Sequence, residues 1–141
     1  MNQKLRVTFA IIIGIIIGLL IFYSSGYLGT PARANAIIYI VLIYLLPGFV
    51  TGFLATHIGK TKNLLRTFIL SFVSGFLFYI FVLTYFFYTQ VQEIEDPYSR
   101  LFGSYIIIAY NIPNVVTSII GGFSNYSLRK MMSKMKHNSS H

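Results

Sequence analysis

Four stretches of this chain, residues 7–32, 34–59, 67–92 and 101–128, contain no aspartate, glutamate, lysine or arginine. A helix needs about 20 apolar residues to cross a hydrocarbon core of roughly 30 Å, so each stretch can span a bilayer and leave residues for a turn. The fold class expected is therefore an all-α integral membrane protein, with four transmembrane helices at residues 7–24, 36–56, 67–89 and 102–126. With 55% hydrophobic and 10% charged residues, a soluble domain of this size would lack polar surface. The 141 residues form a single domain, with a basic tail at 129–141. Lys4 and Arg6 before Val7–Phe22, followed by Ser24, Ser25 and Gly26, also fit a signal peptide. Gly14 and Gly18 make a GxxxG pair suited to helix packing, so this segment is expected to remain as a span.

Charge sets the expected orientation. Lys4, Arg6, Lys60, Lys62, Arg66, Arg129, Lys130, Lys134 and Lys136 fall on one side of a four-span bundle, and Arg33 and Arg100 on the other. The positive-inside rule then puts both termini in the cytoplasm. Glu93, Glu95 and Asp96 share the opposite side, so the formal net charge of +8 belongs to the inner face. That basic face fits anionic lipid headgroups, and the rest of the chain gives no support to a nucleic-acid reading. In the tail, Met131, Met132 and Met135 alternate with Lys130, Lys134 and Lys136, a pattern suited to a short amphipathic helix on the inner surface.

The prolines reveal an internal repeat. The chain has four, Pro31, Pro47, Pro97 and Pro113, forming two pairs offset by 66 residues. At that offset Tyr39, Ile40, Tyr44, Val50 and Thr51 match Tyr105, Ile106, Tyr110, Val116 and Thr117, so each half reads P-x7-Y-I-x3-Y-x2-P-x2-V-T. A duplicated hairpin has an even number of spans, so the expected architecture is two parallel-repeat helical hairpins with a pseudo-two-fold along the membrane normal. Thr30 and Asp96 precede the first proline of each pair and are candidate N-caps.

Pro47 and Pro113 fall near the bilayer midplane, where each removes a backbone donor and is expected to kink its helix. Around them lies a candidate polar layer of Tyr44, Pro47 and Thr51 with Tyr110, Asn111, Pro113, Asn114 and Thr117. Two roles compete for it: interhelical glue, or a pathway lined by carbonyls, amides and hydroxyls. Leu45 and Gly48 stand where the second half has Asn111 and Asn114, which argues against a symmetric coordination site and favours glue.

Small residues four apart occur in every span: Gly14 and Gly18, Gly48 and Gly52, Ser71 and Gly75, Ser118 and Gly122. These are candidate helix-packing seams. No Asp, Glu, Lys or Arg lies inside a span, where proton-coupled or charged-substrate transport usually needs one. His57 sits at the inner end of the second span beside Lys60 and reads as an interfacial residue. There is no cysteine, and His137 and His141 have no carboxylate companions, so no catalytic, cofactor-binding or metal constellation is expected. The expected function is a non-catalytic multi-pass subunit or accessory of a larger membrane complex, through other membrane subunits or self-association. The alternative is a small channel or carrier for water, a neutral solute or an ion.

Overall fold

A computed structural model describes residues 2–26, 45–91 and 94–138. Among these residues the chain is a bundle of four helices without strands: α1 (Gln3–Gly26), α2 (Leu46–Gly59), α3 (Leu64–Phe86) and α4 (Pro97–Asn138). A π-helical turn, Phe87–Val91, extends α3. Three segments, Gln3–Ser24, Leu64–Thr89 and Pro97–Lys136, are long and apolar enough to cross a membrane. Thr30, Pro31, Arg33, Tyr39, Ile40 and Tyr44 lie outside the described residues, as does Glu93.

Contacts fix the direction of each helix. Gly18 lies against Pro47 and Thr51, Gly14 against Thr51 and Ala55, and Ala10 near Gly59, so α1 and α2 run antiparallel. Gly48 meets Asn114 and Gly52 meets Ser118, so α2 and α4 run in the same direction. Gly75 packs on Ser118 and Gly122 on Ser71, which makes α3 and α4 antiparallel. The bundle is therefore up-down-up-down, with α2 and α4 meeting at its centre.

Much of its interior is polar, and its exterior is apolar. Thr51, Thr56, Thr67, Ser71, Ser74, Asn111, Asn114, Ser118 and Asn125 are buried. Phe9, Ile12, Ile16, Leu20, Phe68, Phe72, Phe76, Phe81 and Ile120 are exposed. In water this pattern would place hydrocarbon against solvent and hydroxyls in the core; in lipid, small polar residues belong at helix contacts and bulky ones face the acyl chains. The pattern is that of a membrane protein. A smaller apolar cluster of Ile15, Phe22, Phe78 and Val82 joins α1 to α3. Edge-to-face rings reinforce it, with Phe22 5.7 Å from Phe86 and Tyr23 4.9 Å from Tyr85 between centroids.

Helix ends follow local chemistry. Asp96 caps α4 as expected: its Oδ2 accepts the Ser99 N–H at 2.8 Å, and Pro97 occupies the first helical position. Asn63 caps α3 through Oδ1 and the Leu65 N–H at 2.9 Å. α2 ends in a Schellman arrangement, with the Thr61 N–H toward the Thr56 carbonyl and the Lys60 N–H toward that of His57. Lys60 occupies the left-handed position at φ 50°, where glycine is the usual residue.

The expected fourth span, 102–126, is the middle of a 42-residue helix that runs unbroken through Pro113 and on to Asn138. The tail is thus the continuation of α4 rather than a separate surface helix. Lysine, methionine and arginine are strong helix formers, so the change from apolar to basic residues does not end the helix.

Candidate functional site

The site is the polar seam where α2 and α4 meet. On α4 its residues follow helical spacing: Asn111, Asn114, Ser118, Gly121, Gly122 and Asn125 are buried on one face. On α2 the facing residues are Gly48, Gly52 and Thr56. A Cβ at Gly48 would overlap the Asn114 backbone, and one at Gly52 would overlap that of Ser118. The helices approach this closely because neither glycine has a side chain.

At the centre, the Gly48 N–H donates to Asn114 Oδ1 at 3.2 Å, and Asn114 Nδ2 donates to Asn111 Oδ1 at 3.4 Å. Asn114 is 0% exposed and Asn111 1%. The prolines and threonines form matching pairs: Thr51 Oγ1 donates to the Pro47 carbonyl at 2.8 Å, and Thr117 Oγ1 to the Pro113 carbonyl at 2.9 Å. Ser118 Oγ joins α3, donating to the Ser71 carbonyl at 2.7 Å. Among the described residues no buried side-chain oxygen or nitrogen lacks a hydrogen-bond partner. The seam's polar groups are held by one another.

Of the expected layer, Asn111, Asn114 and Thr117 lie at the α2–α4 contact beside Gly48, with Pro113 one turn before Thr117 on α4, whereas Pro47 and Thr51 lie on the side of α2 that faces Gly18 of α1. Tyr44 and the side chain of Tyr110 fall outside the described residues. Of the packing residues, Gly14 and Gly18 of α1 contact α2, Gly48 and Gly52 of α2 contact α4, and on α3 Gly75 meets Ser118 and Ser71 meets Gly122.

A second cluster at the end of α2 was not anticipated. Asn125 Nδ2 donates to Thr56 Oγ1 at 3.1 Å, and its Oδ1 lies 3.1 Å from His57 Nδ1. With the amide so oriented, His57 Nδ1 carries the proton. The Arg129 guanidinium donates to the His57 carbonyl, a second donor on an acceptor that the Lys60 N–H also meets in the α2 cap. The spacing of Asn111, Asn114, Ser118 and Asn125 carried the signal for this cluster. It continues the same helical stripe by two turns.

Among the described residues a groove flanks the bundle at either end, and neither of these is lined by a residue of the central layer. One, of about 280 Å³, lies between the end of α3 and α4, beside Val91, Ser104 and Ile108. The other, of about 1100 Å³, lies at the opposite end between α1 and α3. Among the described residues, no group of three or more His, Cys, Asp or Glu could hold a metal ion. No family model matches the chain, and neither a curated protein nor a solved structure matches it at a significant level.

Proposed function

We propose that the chain is a four-span bundle of two parallel hairpins, with both termini in the cytoplasm. It acts without catalysis, as a subunit or accessory of a larger membrane assembly. The observation that carries this reading is the saturation of the central seam: the buried amides and hydroxyls bond to protein, and glycines bring backbones into contact where a pathway would need space. Such a core serves cohesion, leaving the exterior for recognition.

The two-hairpin arrangement is supported by the pairing of Gly48 with Asn114 and Gly52 with Ser118, each 66 residues apart. Near a two-fold axis, equivalent positions of the two halves meet each other, and 66 is the offset of the proline repeat. The orientation is supported by Lys4, Arg6, Lys60, Lys62 and Arg66 around one groove, with Arg129 bonded at the same end of the bundle.

Isolation from native membranes in mild detergent, with identification of what travels with the chain, tests the proposal. A stable larger complex is expected. A pure homo-oligomer that supports solute or ion flux in liposomes would replace it with the channel or carrier reading.

A further inference from the structure

α1 and α3 touch through Phe22, Phe78 and Phe86 near one end of the bundle but part toward the other, leaving the groove of about 1100 Å³. Its rim carries Lys4 and Arg6 from α1, Lys60 and Lys62 from the turn after α2, and Arg66 from α3. Its wall is hydrocarbon, from Ile11, Ile69, Leu70 and Val73. Ile69 and Val73 are 50% and 37% exposed, so the groove opens sideways onto the lipid-facing surface.

We infer that this groove binds an anionic phospholipid, with the phosphate among the five cations and the upper acyl chains against the wall between α1 and α3. Charge is the first argument. Among the described residues no carboxylate lines the groove, and Glu95 and Asp96 lie just before α4, at the opposite end of α3 from the groove. Five like charges on one rim repel one another, and an anion between them relieves that repulsion. α1 and α3 both begin here, at Gln3 and Leu64, so two helix N-termini add positive potential at the same place.

The second argument is the division of the surface. A soluble phosphate needs the rim alone, whereas an amphiphile uses both the rim and the laterally open hydrocarbon wall. The volume is also ample for a headgroup and the start of its chains. Lys60 supplies a third. It holds a left-handed conformation that glycine would adopt without strain, yet the position carries an ammonium at the rim. The inference requires only that the bundle lies in a membrane; it is independent of what the chain assembles with.

The test uses the full chain, delipidated in mild detergent and titrated with dimyristoyl phosphatidylglycerol or dimyristoyl phosphatidylcholine. Native mass spectrometry counts bound lipids, and thermal unfolding reports affinity. Saturable binding of phosphatidylglycerol, about tenfold or more tighter than phosphatidylcholine, is expected. The K60Q/R66Q variant is expected to lose that preference, and V73W to weaken both lipids by obstructing the wall. K60G keeps the test open if the double variant fails to fold, because it removes one cation while relieving backbone strain. K130Q/K134Q removes the same charge from the exposed tail and is expected to bind as the native chain does. Equal weakening by the tail variant would reduce the effect to diffuse surface charge. Competition by millimolar inorganic phosphate, or unchanged lipid binding in V73W, would make the site one for a free anion. Either result overturns the lipid assignment.

Discussion

The backbone N–H of Gly48 donates to the side-chain oxygen of Asn114 across the α2–α4 contact, 3.2 Å away and 66 residues along the chain. A missing side chain on one helix lets an amide on the other reach the main chain. The bond therefore depends on both residues. Asn114→Leu removes the acceptor and leaves a buried N–H without this partner. Together with Asn111→Leu it is expected to lower stability by about 1–2 kcal/mol, the scale of interhelical hydrogen bonds in membranes. Thermal unfolding in detergent measures the loss. Liposomes containing the native protein are expected to show no water, solute or ion flux above protein-free liposomes. Native flux that vanished in a folded double variant would instead assign the layer to conduction.

Glycine-to-alanine substitutions are expected to divide sharply by position. At Gly52 the added methyl would strike the Ser118 backbone, which cannot move aside as a flexible side-chain tip can. A penalty of about 3 kcal/mol is expected, at the upper end of overpacking effects. At Gly103 the nearest atom is Ile94 Cδ1 at 3.4 Å, and the isoleucine can adjust. Gly103→Ala is expected to be neutral or slightly stabilising through helix propensity. Equal effects at the two sites would contradict the close approach of α2 and α4.

Lys60→Gly is expected to stabilise the folded chain by about 1 kcal/mol, because a left-handed residue other than glycine carries a steric penalty of that order. Denaturation of the lipid-free protein gives the comparison. A loss of stability would mean that the lysine side chain contributes more at this turn than its backbone strain takes away.

Asp96 gives a pH signature outside the spans. Hydrogen bonds from Ser99, first from its side chain and then from its backbone, hold the carboxyl below the usual aspartate range. A depressed folded pKa means that the cap stabilises α4 at pH values above the unfolded group's pKa and is lost as pH falls through the folded one. Protection of the Ser99 and Arg100 amides, taken relative to intrinsic exchange at the same pH, is therefore expected to fall as pH drops through the Asp96 pKa. Asp96→Asn removes that pH dependence while keeping an acceptor. Asp96→Ala is expected to show low protection at every pH.

Orientation can be read with single thiols because the native chain has no cysteine. Glu95→Cys and Ser133→Cys are both at exposed positions. They are expected to react with an impermeant reagent from opposite sides of the membrane, Ser133→Cys from the cytoplasm. Labelling from the same side would remove the proposed topology.

Much of this arrangement is legible in the sequence because membrane insertion and helix contact leave separate marks. Uncharged length marks α1, α3 and α4, the small residues four apart mark where helices touch, and Asp96-Pro97 marks the start of α4. Helix ends were harder to read. Hydropathy reports where lipid stops, whereas a helix stops where capping and propensity allow, so α1 begins at Gln3, before Lys4 and Arg6, and α4 continues past Arg129. The role of His57 was hidden for a different reason: its partner Asn125 lies 68 residues away, and only the packed helices bring the imidazole and the amide together. Residues 31–44 of the first repeat lie outside the described residues, so the two halves can be compared in the structure only over Pro47–Thr51 and Pro113–Thr117, where each threonine hydroxyl donates to the proline carbonyl four residues earlier.

The inside-out composition of the bundle has a calorimetric consequence. Heat capacity rises on unfolding mainly when hydrocarbon enters water, and here the buried seams are lined largely by hydroxyls, amides and glycine. Helices that separate within a bilayer keep their phenylalanines in lipid throughout. The transition between packed and separated helices is therefore expected to have a small heat-capacity increment. Its free energy would then vary almost linearly with temperature, without the low-temperature downturn that a water-driven core produces.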